Sequence, residues 1–196
     1  MKQENQMLTR AVRQLSDIPE AEVKRFADKF YPRVLSKNSF LLREGEPALL
    51  AGFVTKGVVR EYFTNQEGRE FNKNFAFQGE FTGSYLDLIS QKPSTVSIQA
   101  MARTEILTAP FQDIAEIFDS SYHWQRFARK LVEQLFEKKA RREYQLATMS
   151  AKNRYETFAS ENPEMLDSLP HYQIASYLAI TPVAFSRIRK RVSPQI

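Results

Sequence analysis

Apolar residues at Val23, Phe26, Ala27 and Phe30 recur at three- and four-residue steps, and the pattern predicts helix through residues 5–31. Ser16 or Asp17 can cap a segment there, Pro19 opens it and Pro32 ends it. From Arg33 to about Ala109 the pattern becomes strand-like. Val59, Glu61 and Phe63 alternate with Arg60, Tyr62 and Thr64, and turn residues punctuate the stretch at Glu44-Gly45, Lys56-Gly57, Asn65 to Gly68, Gln78-Gly79 and Gln91 to Pro93. The segments between them are Ser39–Arg43, Ala51–Thr55, Val58–Thr64, Arg69–Phe77, Thr95–Met101 and Thr104–Ala109. Short strands at this spacing suggest a closed or rolled antiparallel sheet. Only Gly83 to Leu88 interrupts it, as a helical turn.

Helical periodicity then returns. Phe111–Phe118 reads as a short helix after Pro110, and Ser120 or Ser121 caps a long one, Tyr122 to Met149, with no glycine or proline inside. It carries two apolar stripes. Ala128, Leu131 and Leu135 follow coiled-coil spacing and are the expected dimer seam; Val132, Phe136, Ala140, Tyr144 and Ala147 form the other. Two apolar faces on one helix need two partners, one being the same helix of a second subunit, unless a single chain covers both. Lys138-Lys139 and Arg141-Arg142 read as a solvated surface. Asn153–Ala159 supplies a further helix with Tyr155 and Phe158 inward, stopped by Asn162-Pro163.

Leu169 to Val192 holds two short helical patterns broken at Ala179-Ile180-Thr181. Ile174, Ala175 and Leu178 form the apolar face of the first. Thr181 stands where an N-cap belongs and Pro182 at the first helical position, where its missing N–H costs nothing. Phe185 and Ile188 point inward from the second. Ser186, Arg187, Arg189, Lys190 and Arg191 face outward with no acidic residue among them. This reads as a helix-turn-helix with its recognition helix last, or, more blandly, as a helical hairpin with a solvated basic face. The expected fold class is α+β, in three parts: an antiparallel β-roll with flanking helices over 1–120, a long dimerisation helix over 121–149, and a helix-turn-helix DNA-binding domain over 150–196.

Composition narrows the function. At 196 residues, 42% hydrophobic and 15 phenylalanines, the chain has material for a packed core. Its net charge of +5 is compatible with an anionic partner without requiring one. With no cysteine, thiol catalysis, disulfides, and cysteine-held zinc or iron–sulfur clusters are excluded. The N-terminus has no apolar signal region and no run is long enough to span a bilayer, so a cytoplasmic protein without a membrane partner is expected. The two histidines, His123 and His171, lie outside the segment Arg33 to Ala109, so a metal-dependent barrel enzyme of the cupin kind lacks its ligands. No enzyme, metal or cofactor is expected.

This order of parts resembles the Crp/Fnr (cyclic-AMP receptor protein-like) family of bacterial transcription regulators over nearly the whole chain. The most specific detail is Gly79-Glu80-Phe81-Thr82-Gly83 entering a short helix. In the family's nucleotide-binding rolls that turn is the phosphate-binding cassette. The resemblance therefore implies an effector pocket at Gly79, Glu80, Phe81, Gly83, Ser84, Ser94 and Thr95. Two positions depart from the pattern. Where nucleotide-binding members place a Glu after the second glycine, this chain has Ser84; where they place an Arg before a Ser or Thr, it has Ser94-Thr95. Losing the Arg removes a charge-assisted contact worth roughly 1.5–3 kcal/mol. The expectation is a degenerate pocket that does not take cyclic AMP, its cassette surviving as a structural turn or binding something else.

At the other end, Pro182 and Val183 stand where many members carry an Arg-Glu pair, while Arg187 matches a family arginine. The sequence stops at Ile196, so the helix-turn-helix is expected to lack the β-hairpin wing that is common in the family. The resemblance implies a homodimer on a pseudo-palindromic double-stranded DNA site. Arg187 is expected on guanine, with Ser186 and Val183 adding polar and thymine-methyl contacts; Arg189, Lys190 and Arg191 are expected on phosphates, and Thr181 and Tyr172 at the rim. A small-molecule effector and RNA polymerase are further possible partners. The alternative is a ligand-sensing roll whose helix-turn-helix is vestigial.

Overall fold

The computed structural model describes residues 3–192. Two antiparallel four-stranded sheets make a roll, in strand orders β1-β8-β3-β6 and β2-β7-β4-β5. The strands are β1 (Tyr31–Leu35), β2 (Phe40–Leu42), β3 (Leu50–Lys56), β4 (Val58–Thr64), β5 (Glu70–Phe77), β6 (Phe81–Thr82), β7 (Ser97–Ala100) and β8 (Thr104–Pro110). Helices α1 (Gln3–Leu15) and α2 (Glu20–Ala27) precede it, α3 (Tyr85–Ser90) lies within it, and α4 (Phe111–Ser120) and the long α5 (Tyr122–Thr148) come after it. Four shorter helices complete the described chain: α6 (Ala151–Glu161), α7 (Pro163–Ser168), α8 (His171–Tyr177) and α9 (Pro182–Val192). This is the α+β architecture expected from the sequence. Among the described residues no helix is long and apolar enough to cross a membrane.

The N-terminal stretch differs from its expectation. It is two helices, and the chain has already become strand at Pro32, which pairs with Leu107 in β1. β1 is an edge strand, so proline's missing N–H removes no interior ladder bond.

The chain divides into two compact units. The first contains the chain through Phe63 and Asn74–Gln134; the second contains Thr64–Lys73, the tip of the β4–β5 hairpin, and everything from Leu135 onward.

Period-two alternation gives the first unit two cores. On β3, Phe53 faces one and Val54 the other; on β8, Leu107 and Ile106 divide the same way. The outer core joins Leu8, Val12, Val23 and Phe26 to Ile114, Ile117, Trp124 and Phe127, with Trp124 stacked on Phe26 at a centroid distance of 4.7 Å. The inner core fills the roll with Leu35, Leu42, Val54, Val59, Ala76, Leu88, Ile98, Ala100 and Ile106. Gly57 closes the β3–β4 turn at φ +89°, where a Cβ would lie 2.9 Å from the Arg103 carbonyl oxygen.

In the second unit, Phe185 is the buried anchor of α9, edge-on to Tyr155 of α6 at 5.3 Å. The hairpin tip is shaped by Asn65, whose side-chain oxygen accepts from the backbone N–H groups of Glu67 and Arg69. Next to it Asn72, 1% exposed, is built into α8. Its side-chain amide donates to the Gln173 carbonyl oxygen at 2.9 Å and to Gln173 Oε1 at 2.6 Å, and its backbone N–H donates to Ser176 Oγ at 3.0 Å. Arg142 of α5 closes the arrangement by donating to the carbonyl oxygens of Asn72 and Tyr177, with its guanidinium 4.0 Å above the Tyr177 ring. Burial pushes the Arg142 pKa below its ordinary value, but an arginine stays charged there all the same.

Candidate functional site

The cationic helix begins as the sequence predicts. Thr181 Oγ1 accepts from the Ala184 backbone N–H at 3.1 Å, which satisfies one of the orphan donors of α9, and Pro182 occupies the first helical position. Ile180 donates its backbone N–H to the Ala175 carbonyl oxygen, and Ala179 takes a left-handed φ of +52° to make the break after α8. With Phe185 buried and Ile188 half-buried, the helical period puts Val183, Ser186, Arg187, Lys190 and Arg191 outside. Val183 is 60% exposed and Tyr172, on α8, 59%. Arg187, Lys190 and Arg191 make no hydrogen bond or ion pair with any described residue, and no acidic residue lies on α9.

Arg189 differs from its neighbours. It turns back along the motif, Nη1 lying 2.7 Å from Nε2 of His171, whose ring also packs 5.4 Å from Phe185. Of the expected DNA-contacting set, then, Arg189 already has a protein partner and Thr181 is committed to its cap. The positions beyond Val192, where a wing would stand, lie outside the described residues.

The two apolar stripes of α5 are covered in a different way from the expected one. Leu131 continues the inward face of Trp124 and Phe127 at the next turn and packs against the outer core of the first unit. Ala128 is half-buried and Leu135 exposed, so the expected seam is split. The second stripe is the one left uncovered: Val132, Phe136, Ala140, Tyr144 and Ala147 are all exposed, Phe136 at 71% and Tyr144 at 62%.

The expected effector pocket also divides. Gly79, at φ +89°, and Glu80 form a tight turn. The Gly79 N–H donates to the Val54 carbonyl oxygen, and the Glu80 carboxylate accepts from the Phe77 N–H at 2.7 Å. Phe81 is turned away into the outer core, its ring 5.1 Å from Phe53. Gly83 has φ +143°, and a Cβ there would crowd Leu88 at 3.3 Å. Ser84, Ser94 and Thr95 do come together, around a residue that the sequence did not single out. Asp87 Oδ2 accepts from Ser84 Oγ at 2.6 Å, from Ser94 Oγ at 2.9 Å and from the Thr95 N–H at 3.3 Å. Ser84 and Asp87 are 2% exposed and Ser94 3%. A short run such as YLDLIS gives no sign that its one carboxylate turns inward.

Comparison with known proteins agrees with this geometry. Residues 32–121 match the family model described as a cyclic nucleotide-binding domain. Among solved structures, FixK2 from Bradyrhizobium japonicum superposes with a TM-score of 0.73 at 19% identity, covering 83% of this chain and 84% of that one. A CooA variant from Carboxydothermus hydrogenoformans gives 0.69 at 20% identity, covering 90% and 85%. The c-di-GMP-responsive global regulator CLP of Xanthomonas campestris gives 0.65 at 16%, covering 89% and 91%. No relative among curated protein sequences matches the chain. The match to the cyclic nucleotide-binding domain model is confined to residues 32–121, and the solved structures, all at 20% identity or less, share the chain's fold.

Proposed function

We propose that this protein is a cytoplasmic, DNA-binding transcription regulator of the Crp/Fnr type, acting as a homodimer on a pseudo-palindromic site and unresponsive to cyclic AMP. One observation carries the reading: α9 holds Arg187, Lys190 and Arg191 in solvent on one face while Phe185 fixes its other face in the core. A helix presented this way suits the major groove. Arg187, near the middle of that face, is assigned to guanine O6 and N7, where a planar fork makes two bonds at once. Ser186 and Val183 lie beside it for polar and methyl contacts. Lys190 and Arg191 are assigned to phosphates, with Tyr172 and Thr181 at the rim. Arg189 is reassigned to a supporting role, since its guanidinium rests on His171.

The uncovered stripe of α5 supports the second subunit. An aromatic-rich helical face in water is costly, and the same helix related by a two-fold axis covers both copies. The proposed dimer reads two successive major grooves with its two α9 helices, about one DNA turn, roughly 34 Å, apart. RNA polymerase is the further partner such a regulator would meet at a promoter. Selection of genomic fragments by the purified protein, with a salt titration on the recovered duplex, tests the reading. A recurring inverted repeat bound with a steep salt slope is expected; equal recovery of all sequences, or a flat slope, would refute it.

A further inference from the structure

The geometry points to Asp87 as the roll's own resident anion: its carboxylate takes the donors of Ser84, Ser94 and Thr95, and so closes the cassette to cyclic nucleotides and other phosphate-bearing effectors. This rests on the reading of the roll as an effector-type module unresponsive to cyclic AMP, and it supplies a physical cause beyond the missing arginine.

The three donors come from separate places. Ser84 precedes α3, while Ser94 and Thr95 lie beyond it on the approach to β7, and all converge on a single oxygen of one side chain. Ser84 has one hydroxyl proton and Thr95 one amide proton, and both are used. Ser94 Oγ accepts from the Val96 N–H at 3.2 Å and lies 2.9 Å from both Asp87 Oδ2 and the Val96 carbonyl oxygen, which share its one proton. An incoming phosphate oxygen would have to take these three donors from Asp87. A phosphate placed against these donors would also stand beside a carboxylate that is 2% exposed, where solvent screens little of the repulsion. The same contacts tie the two ends of the α3 segment together without a ligand. The pocket is therefore occupied by its own chain.

Asp87→Ala in the full chain tests this. The melting temperature is tracked while sodium chloride is replaced by sodium formate or sodium phosphate at constant ionic strength, and cyclic AMP is titrated separately by calorimetry. Wild type is expected to show no saturable response to any of the three. D87A is expected to melt several degrees lower, by the loss of buried hydrogen bonds, and to recover saturably in formate or phosphate but not in chloride. Saturable cyclic AMP binding by wild type would overturn the proposal, as would a folded D87A as indifferent to oxyanions as wild type. If D87A is unfolded in chloride, refolding yield is the readout, with D87S alongside. Recovery of either in formate or phosphate supports the resident anion; failure of both in every salt overturns it. No DNA enters these measurements, so their failure leaves the DNA-binding reading to its own test.

Discussion

Replacing Phe136 separates the dimer interface from the folding core. Its ring is 71% exposed in the single chain, so nearly all of its burial is still to be gained from a partner. Full burial of a phenylalanine is worth about 1.5–3 kcal/mol, so covering the exposed part yields about 1–2 kcal/mol per copy and roughly 2–4 kcal/mol per symmetric dimer. At about 1.4 kcal/mol per tenfold, Phe136→Ala is expected to raise the dimer Kd roughly 30- to 700-fold. Folding of each subunit should be little affected. Leu131→Ala gives the opposite pattern, because Leu131 packs on Trp124's side of α5 in its own chain. It should cost about 1–3 kcal/mol of folding stability and leave the dimer constant nearly unchanged. Sedimentation across a concentration series reads the Kd, and a urea transition under monomeric conditions reads the folding term. An unchanged Kd for F136A, or a dimer lost only in L131A, would refute the assignment of the uncovered stripe.

Three further outcomes rest on particular residues. Asn72→Ala removes both side-chain bonds to Gln173 and is expected to destabilise the second unit by about 1–3 kcal/mol; unchanged hydrogen-exchange protection in α8 would contradict it. Arg187→Ala should cost roughly 1–3 kcal/mol of DNA affinity and relax preference at one base pair per half-site, and an equal loss on every sequence would remove the base contact. Lys190→Ala should weaken all sequences alike and flatten the salt slope by about one unit; an unaltered slope would take Lys190 off the phosphates.

Much of the fold was legible because it is written in short-range periodicity. The strands with alternating polarity and the Thr181-Pro182 start of α9 could be read from neighbours within four residues. What escaped depends on longer reach. Pro32 reads as a helix stop, and only the position of β1 at a sheet edge makes it a strand residue. Nothing in their local pattern marks Asn72 and Asp87 as buried, because their partners lie respectively 101 residues away and across a loop. Leu131 and Val132 are adjacent apolar positions, and helical period alone does not say which looks inward; the preceding Trp124 and Phe127 decide it. The family resemblance singles out Ser84, Ser94 and Thr95, but not the carboxylate on which those three converge.

Because Phe185 alone carries the buried anchorage of α9, the fold makes few demands on the outward positions 183, 186, 187 and 190. Exchanges at such exposed sites usually alter stability by no more than about 0.5 kcal/mol. Evolution, or an engineer, is thus free to rewrite the address this helix reads, one side chain at a time, while the frame that carries it stays intact.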